Sequence, residues 1–387
     1  PADVALPPGY RAEVAARGLT FPTAVTFDEA GNLYVIEAGY SYGEIFLPPR
    51  LLRIRPGEEP EPVLTADKNG PWTHVEYHNG YFYIAEGGQI EGGRILRVSP
   101  QGEVQPLVEN LPGYGDHHTN GVIIGPDGYL YFGQGTATNS GVVGKDNYQF
   151  GWLQRFPDFH DIPCQDITLT GQNFQTDDFL SENGGKHRTG AFVPFGTTTT
   201  KGQIIEGELP CSGAVMRVPL QGGPVELVAW GFRNPYGLAF NQDGQLFVAD
   251  NGYDDRGSRP VWGVGDYLWK VEEGKWYGWP DFTGALPLTI ETFTPDGSQE
   301  LQFLLSEHPN KPPEPAASLG VHSSSDGMDF SRNATFGYEG QAFIAQFGDM
   351  SPGVGKVMAP VGYRVVRVNV DNGIITEFAA NYGKENG

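Results

Sequence analysis

A histidine pair stands in the segment GDHHTNG, residues 115–121, directly ahead of an apolar run that reads as a strand. A histidine changes protonation near neutral pH and can act as a general base, and Asp116 lies beside it in the sequence. His117 and His118 would alternatively be capping or solvated loop residues. The position of the pair at the entrance to a strand makes His117 a candidate catalytic base.

A second candidate is the pair Arg233-Asn234 in GFRNPYGLAF, which also stands at the entrance to a strand. An arginine presents a planar fork of donors that suits a carboxylate, and an asparagine adds a donor and an acceptor. The alternative interpretation is an ion pair between neighbouring structural units. The pair is therefore a candidate for binding an anionic group.

A third candidate is the glycine-rich acidic loop ADNGYDDRGSRP, residues 249–260, with Asp266 downstream. Carboxylates such as Asp250 and Asp266, interleaved with backbone carbonyls, are typical Ca²⁺ ligands, although the EF-hand spacing is absent. The alternative is a polar hairpin end with aspartates at turn positions. Lys356 in MSPGVGKVMAP is a further candidate. The alternative is a solvated lysine, which is the usual state of a single lysine in such a segment.

The elements that would position these residues repeat along the chain. An apolar strand, a turn ending in glycine and an aromatic strand recur in TFDEAGNLYVIEAG, EYHNGYFYIAEGG, IIGPDGYLYFGQG, AFNQDGQLFVADNG and TFGYEGQAFIAQFG. A third strand follows each copy, and a fourth follows most. Four antiparallel strands repeated with variable loops predict a β-propeller, whereas a β-sandwich would not explain the recurring aromatic positions.

The predicted domain organisation is one all-β propeller over residues 1–387, with two insertions. The first insertion, 136–212, separates the second and third strands of the third unit, and the second, 275–319, separates the fourth and fifth units. A lone strand at residues 10–19 is expected to close the ring. Cys164 and Cys211 bracket most of the first insertion. Two alternatives stay open for them: a disulfide between the two residues, or two buried thiols.

Composition limits the function. The net charge of -22 repels phosphate backbones and anionic lipid, so nucleic acid and membrane surfaces are poor partners. No apolar run approaches the ~20 residues that span a bilayer. The sequence contains no P-loop, GxSxG or HExxH motif, and its glycine-rich segment GQGTATNSG precedes no helix. A nucleotide-binding enzyme or a serine hydrolase is therefore not expected.

Taken together, DHHTNGVIIGPDG, GFRNPYGLAF, ADNG and WYGWPDF resemble the soluble pyrroloquinoline quinone (PQQ) dehydrogenases of the glucose/sorbosone dehydrogenase family. The likeness runs over roughly residues 21–380, and HSSSDGMDFS and APVGYRVVRV fit the sorbosone dehydrogenase-like branch. The resemblance implies a six-bladed propeller, of which five units are visible in the sequence. It also implies PQQ and Ca²⁺ as cofactors and a periplasmic or secreted location, which the small-residue start PADVALPPGY would suit.

The resemblance implies roles residue by residue. His117 matches the base that takes the proton of the substrate hydroxyl as hydride passes to the quinone. Arg233 and Asn234 match the pair that lies against the quinone, and Arg233 would stabilise charge on the reduced ring. Asn251 and Lys356 fall at further cofactor contacts. The carbonyl groups of Gly252 and Tyr253 would hold the Ca²⁺, with Asp250 and Asp266 as additional candidate ligands.

The expected function is oxidation of a sugar or a related alcohol or aldehyde, followed by transfer of electrons to an acceptor that the sequence does not identify. Two alternatives stay open: a Ca²⁺-dependent hydrolase of the lactonase kind, and a non-catalytic carbohydrate-binding propeller. The histidine and the Arg-Asn pair favour the dehydrogenase, because a lactonase needs carboxylates that converge on a metal in the channel.

Overall fold

Each of the first four sequence repeats forms an antiparallel hairpin whose turn is set by local chemistry. In the third repeat, Gly128 has a φ of +81°, which glycine adopts without steric cost. The carboxylate of Asp127 accepts a hydrogen bond from the backbone N–H of Tyr129 at 3.2 Å. The two strands then pair with Val122 opposite Phe132. The predicted strand–turn–strand unit is confirmed.

The computed structural model describes residues 3–41, 45–181, 183–349 and 361–381. These residues form five four-stranded antiparallel sheets, which we call blades 1 to 5. A short strand, β1 (Val4–Ala5), precedes them. Blade 1 consists of β2 (Pro22–Phe27), β3 (Leu33–Glu37), β6 (Arg50–Ile54) and β7 (Glu61–Thr65), with a small hairpin, β4 (Tyr40–Ser41) and β5 (Ile45–Phe46), between its second and third strands.

The next two blades follow in chain order. Blade 2 consists of β8 (Trp72–His78), β9 (Tyr81–Glu86), β10 (Gly93–Val98) and β11 (Val104–Leu111). Blade 3 consists of β12 (Thr119–Ile124), β13 (Tyr129–Gln134), β18 (Ala214–Pro219) and β19 (Glu226–Trp230). Its insertion contains α1 (Lys145–Gln149), α2 (Trp152–Arg155), β14 (Ile167–Thr168), β15 (Asn173–Asp177), β16 (Lys186–Gly190) and β17 (Ile204–Ile205).

The last two blades complete the described chain. Blade 4 consists of β20 (Asn234–Phe240), β21 (Leu246–Asn251), β22 (Gly265–Lys270) and β25 (Ala317–Val321), with the hairpin β23 (Phe282–Thr283) and β24 (Leu286–Pro287) and a 3₁₀ turn (Glu291–Phe293) before its last strand. Blade 5 consists of β26 (Ser325–Phe330), β27 (Ala342–Gly348), β28 (Gly362–Asn369) and β29 (Ile374–Asn381). None of the helices in these ranges is long and apolar enough to cross a membrane.

The aromatic positions of the repeat pack between neighbouring blades. Tyr83 of blade 2 lies in one cluster with Val122 of blade 3. Phe247 of blade 4 lies in another with Met328 of blade 5. Full burial of one such side chain is worth about 1.5–3 kcal/mol. The recurring aromatic residues thus hold adjacent sheets together face to face, which explains why the sequence repeats them.

The structure corrects the prediction of six blades, because the described residues form five. Residues 275–319 do not build a further sheet. They form a hairpin and a 3₁₀ turn, and end in β25, the outermost strand of blade 4. This insertion therefore separates the third and fourth strands of blade 4 rather than two repeat units. The first strand of blade 5 is β26, whereas residues 334–336 and 339–340, expected within a strand pair, form turns.

The expected closing strand at residues 10–19 is also wrong, since these residues form no strand. Instead β1 pairs antiparallel with the outer strand β29 of blade 5, with Val4 opposite Asn381. The segment continues past Tyr10, whose ring lies 4.9 Å from that of Phe378. Ala16 and Leu19 then pack against apolar residues of blade 1. The N-terminal segment therefore bridges the outer parts of blades 5 and 1.

The junction between blades 1 and 5 remains more open than the other junctions. Val25 on the inner strand of blade 1 is 58% exposed. The residues at the same register in the other blades are buried: Val75 1%, Val122 0%, Leu238 1% and Met328 8%. Val25, Phe343 and Phe347 line a groove of about 850 Å³ that extends from this junction to the inner strands.

The first insertion is located as predicted, between the second and third strands of blade 3. Cys164 and Cys211 form a disulfide across a separation of 47 residues, which resolves the alternative that the sequence left open. Next to it, Ser212 and Ile162 exchange two hydrogen bonds, from the backbone N–H of each residue. The insertion is thereby closed at its base.

We expect the double substitution Cys164→Ser and Cys211→Ser to lower the free energy of unfolding by about 4 kcal/mol, because the reduced chain regains the entropy of a long open loop. Urea denaturation of the oxidised wild type and of the variant measures the difference. Wild type under reducing conditions should behave like the variant. Equal midpoints for all three samples would show that the disulfide contributes nothing.

Candidate active site

The candidate residues converge because antiparallel strands alternate in direction. Each connection from the outer strand of one blade to the inner strand of the next lies at the same end of the propeller, and so does each loop between second and third strands. Three successive blade connections, residues 112–118, 231–233 and 322–324, supply His117, Arg233 and His322.

The loop after β21 supplies Gly252 and Asp254. Together these residues line a cavity of about 60 Å³, whose described walls are His117, Arg233, Asn234, Asn251, Gly252, Asp254, Asp266, His322, Ser324 and Gly348.

His117 is held as a neutral imidazole with a defined tautomer. Its Nδ1 lies 3.0 Å from the carbonyl oxygen of Thr136, which can only accept, so Nδ1 carries the proton. Burial lowers the pKa of His117 well below its ordinary value, and the charge of Arg233 lowers it further. Nε2 is therefore left with its lone pair at neutral pH, which is the state that a general base needs.

Asp116 precedes His117 in the sequence, but its carboxylate forms an ion pair with a different residue. Its carboxylate is fully buried and pairs with Arg256 at 2.9 Å. Arg256 also pairs with Asp146 at 3.0 Å and with Asp254 at 2.9 Å. Burial raises the pKa of Asp116 to about 7, although the charge of Arg256 opposes this shift. Asp116 thus belongs to a buried ion-pair network behind His117.

Arg233 lies at the centre of the site and is almost fully buried. Its Nη2 donates to Asp254 Oδ2 at 2.6 Å and to Asn139 Oδ1 at 3.0 Å. Its Nε donates to the carbonyl oxygen of Asn139 at 3.1 Å. Its Nη1 has no hydrogen-bond partner among the described residues. One edge of the guanidinium is therefore fixed by the protein, and one donor nitrogen is available to a ligand.

The two asparagines of the prediction are linked in one chain of side-chain amides. Asn120 Nδ2 donates to Asn234 Oδ1 at 2.7 Å, and Asn234 Nδ2 donates to Asn251 Oδ1 at 2.7 Å. Asn251 Nδ2 then donates to the carbonyl oxygen of Ser325 at 3.0 Å. The chain crosses blades 3, 4 and 5, so Asn234 and Asn251 fix the wall of the cavity as well as lining it.

Asp250 and Asp266 have their carboxylate oxygens occupied by protein donors. Asp250 accepts from the backbone N–H of Asn234 at 2.7 Å and from Trp269 Nε1 at 3.3 Å, and burial raises its pKa to about 7. Asp266 accepts from the backbone N–H groups of Gly252 at 3.0 Å and Ser325 at 2.9 Å. As metal ligands, both would have to give up these hydrogen bonds.

The carbonyl groups of Gly252 and Tyr253 are better suited to a metal ion. No donor among the described residues reaches either carbonyl oxygen, whereas the N–H of Gly252 is held by Asp266. A Cβ at position 252 would lie 2.3 Å from the carbonyl oxygen of Gly265, so the backbone can take this path only with glycine. The Tyr253 hydroxyl donates to Phe282 at 3.0 Å, which fixes that side chain away from the cavity.

Sequence reasoning missed His322, Asp254 and Arg256. His322 lies in the blade-to-blade connection equivalent to that of Arg233, one blade earlier, and that of His117, two blades earlier, and this equivalence was the signal that could have found it. Asp254 and Arg256 stood within the acidic loop but carried no recognisable spacing. Lys356 lies outside the described residues, in the segment 350–360 that begins shortly after Gly348 of the cavity wall.

We expect Asp254→Asn to destabilise the protein by about 3–5 kcal/mol, because Arg233 and Arg256 would be left buried with one counter-charge fewer. Burial alone would raise the pKa of Asp254, but these two arginines outweigh it and hold that pKa well below its ordinary value. The stabilisation is therefore complete at neutral pH and is lost only as the pH falls below about 4.

Urea denaturation at pH 7 measures this loss, and Asp255→Asn is the matched control, since Asp255 has no ion pair among the described residues. The control should change the free energy of unfolding by no more than about 0.5 kcal/mol. Equal stabilities of the Asp254 and Asp255 variants would contradict the role assigned to Asp254.

Comparison with known proteins gives no match in sequence and clear matches in structure. Neither a protein-family model nor a curated protein matches the chain. The PQQ domain of pyranose dehydrogenase from Coprinopsis cinerea, in its holo form, superposes with a TM-score of 0.60 at 13% identity, covering 98% of this chain and 87% of the other.

Two aldose sugar dehydrogenases also superpose, each with a TM-score of 0.55. The PQQ-bound enzyme from Streptomyces coelicolor is 16% identical, covering 97% of this chain and 84% of the other. The soluble enzyme from Escherichia coli, in its apo form, is 15% identical, covering 97% and 88%. The chain therefore has the β-propeller fold of soluble PQQ-dependent sugar dehydrogenases.

Proposed function

We propose that this chain is a PQQ- and Ca²⁺-dependent dehydrogenase that oxidises a sugar or a related alcohol or aldehyde. The observation that carries the proposal is the cavity where His117, neutral and with Nε2 unprotonated, meets Arg233. The proteins of similar fold include PQQ-bound and holo sugar dehydrogenases, which supports the same class of reaction here.

The residues of the cavity fit the quinone and metal end of such a cofactor. Arg233 Nη1 can donate to a quinone or carboxylate oxygen, and the carbonyl oxygens of Gly252 and Tyr253 are the hard oxygen ligands that Ca²⁺ prefers. Asn234 and Asn251 would contact the same group through their amides. In this arrangement Asp250 and Asp266 do not contact the cofactor. Their carboxylates accept hydrogen bonds from the backbone of residues 233–234 and 252 and so hold these segments in place.

PQQ, when bound, supplies the acceptor for the hydride of the substrate C–H bond. The protein supplies the base: His117 Nε2 takes the hydroxyl proton, while its Nδ1–H stays bonded to Thr136. Arg233 places a fixed positive charge where negative charge develops during the transfer. Because Arg233 is already oriented by Asp254 and Asn139, this stabilisation needs little reorganisation.

Lys356 remains a proposed cofactor contact and lies in the segment 350–360, which follows Gly348 of the cavity wall in the sequence. The natural electron acceptor is a separate molecule that the site does not identify. The disulfide supports a periplasmic or secreted location, because such bonds persist in oxidising compartments. The net charge of -22 argues against nucleic acid as a partner.

A lactonase-like hydrolase is less well supported. Such an enzyme needs carboxylates that converge on a metal ion, and no group of three metal-binding side chains is found among the described residues. Asp250, Asp254 and Asp266 line or adjoin the cavity, but each is engaged by protein donors. The geometry therefore favours oxidoreduction over metal-assisted hydrolysis.

Reconstitution with PQQ and Ca²⁺ tests the proposal. We expect the quinone absorption spectrum to change on binding, and an artificial dye to be reduced when sugars are added. Omission of Ca²⁺ should abolish both signals, because the proposed carbonyl ligands hold the metal that orients the quinone. Absence of a spectral change together with absence of dye reduction would refute the assignment.

We expect His117→Ala to lower kcat on the order of 10²–10⁴-fold and to leave the spectral change on PQQ binding intact, because only the base is removed. His78→Gln is the matched control, since His78 ends the inner strand of blade 2 at the opposite face of the propeller. The control should retain wild-type kcat. Undiminished turnover in the His117 variant would show that another group is the base.

A further inference from the structure

His322 adopts a backbone conformation that histidine rarely takes. Its φ is +52°, in the left-handed region, and Ser324 two residues later has a φ of +45°. For a non-glycine residue this conformation is strained, and it persists only where surrounding contacts fix it. The connection between blades 4 and 5 is thus held in a shape that directs the side chain of His322 to the wall of the cavity.

The side chain of His322 is buried, and only one of its two ring nitrogens faces a protein partner among the described residues. It is 7% exposed, and its Nδ1 lies 3.5 Å from Asp254 Oδ1. Its Nε2 is buried and has no hydrogen-bond partner among the described residues. An unpaired polar atom in such a position is destabilising, so a ligand that pairs with it gains a corresponding advantage in affinity.

The contact with Asp254 determines which nitrogen of His322 is left for a ligand. Nδ1 faces Oδ1 of Asp254, so Nε2 is the ring nitrogen that has no protein partner among the described residues. His117 is arranged in a similar way, since its Nδ1 faces the backbone carbonyl of Thr136, and both imidazoles line the same cavity.

We propose that His322 is a substrate-binding residue whose Nε2 forms a hydrogen bond with a second hydroxyl group of the substrate, beside the hydroxyl that His117 receives. Two imidazoles on one small cavity select a ligand with at least two nearby hydroxyl groups rather than a simple alcohol. Asp254 is the positioning residue for His322. This inference rests on the proposed function and narrows its substrate class.

The experiment compares His322→Asn with wild type and with His322→Gln. Asparagine tolerates positive φ, and its amide can replace the Nδ1 contact with Asp254 while leaving nothing at the place of Nε2. Glutamine carries its amide to about the place of Nε2 and partly restores the interaction. Circular dichroism and urea denaturation establish that each variant is folded.

The ligands are D-glucose and a panel of its monodeoxy analogues, each without one hydroxyl. Binding to the Ca²⁺-loaded protein that carries reduced PQQ, which cannot accept a further hydride, is measured by isothermal titration calorimetry under anaerobic conditions. KM and kcat are measured separately with an artificial dye.

We expect His322→Asn to weaken glucose binding about tenfold, with KM rising more than kcat falls, and His322→Gln to recover part of the loss. For one deoxy analogue, wild type and His322→Asn should bind equally, because the hydroxyl that meets Nε2 is already missing. The simple alcohol ethanol, which carries one hydroxyl, should be insensitive to the substitution.

The proposal is overturned if His322→Asn binds glucose as tightly as wild type. It is also overturned if the variant lowers affinity for every deoxy analogue by the same factor, which would indicate a general structural effect. Sugar binding without dye reduction would refute the dehydrogenase assignment and leave the role of His322 intact. A quinone spectral change on PQQ binding without any sugar binding would refute the role of His322 and leave the dehydrogenase assignment intact.

Discussion

The carboxylate of Asp254 is the group on which the rest of the site depends. It lies between two buried guanidinium groups, with Arg233 Nη2 at 2.6 Å and Arg256 Nη2 at 2.9 Å, and it faces Nδ1 of His322. A buried arginine is tolerated only when its charge is paired, so each cation here is in place because Asp254 is ionised. Through these contacts one side chain sets the orientation of Arg233 and fixes which nitrogen of His322 faces a protein partner.

The other carboxylates of the region act in a similar way on the backbone. Asp250 accepts from the N–H groups of residues 233 and 234, and Asp266 accepts from those of Gly252 and Ser325. Each therefore ties a loop that lines the cavity to a strand of blade 4. The acidic residues that the sequence offers as candidate metal ligands thus also organise the loops, and no donor among the described residues reaches the carbonyl oxygens of Gly252 and Tyr253.

The sequence predicted most of the fold because the repeat is local. Strand, turn and strand are encoded within about fourteen residues, as in the segment that contains Asp127, Gly128 and Phe132. The number of blades and the boundaries of the insertions were harder to predict from the sequence. Strand β25 follows a long irregular segment, and only its pairing with β22 assigns it to blade 4. Such pairing between distant segments has no local signature.

The site was predictable to the extent that strand entry positions can be recognised. His117 and Arg233 stand at equivalent connections, and the antiparallel alternation of strands brings them to one end of the propeller. His322 stands at the next equivalent connection, but the misplaced first strand of blade 5 concealed this. The ion pairs of Arg256 with Asp116 and Asp146 join the loop of blade 4 to the connection between blades 2 and 3 and to the insertion, and residue order alone does not reveal them.

The open junction between blades 1 and 5 lies away from the connections that build the site. His117, Arg233 and His322 come from the connections between blades 2 and 3, 3 and 4, and 4 and 5, where the inner-strand residues Val122, Leu238 and Met328 are buried. Close packing resists displacement, so these three interfaces keep the three side chains at fixed separation. Among the residues that the structure describes, the junction that contains the exposed Val25 is bridged on its outer side, by the N-terminal segment. The continuous arc of blades 2 to 5, rather than closure of the ring, is what holds the candidate site together.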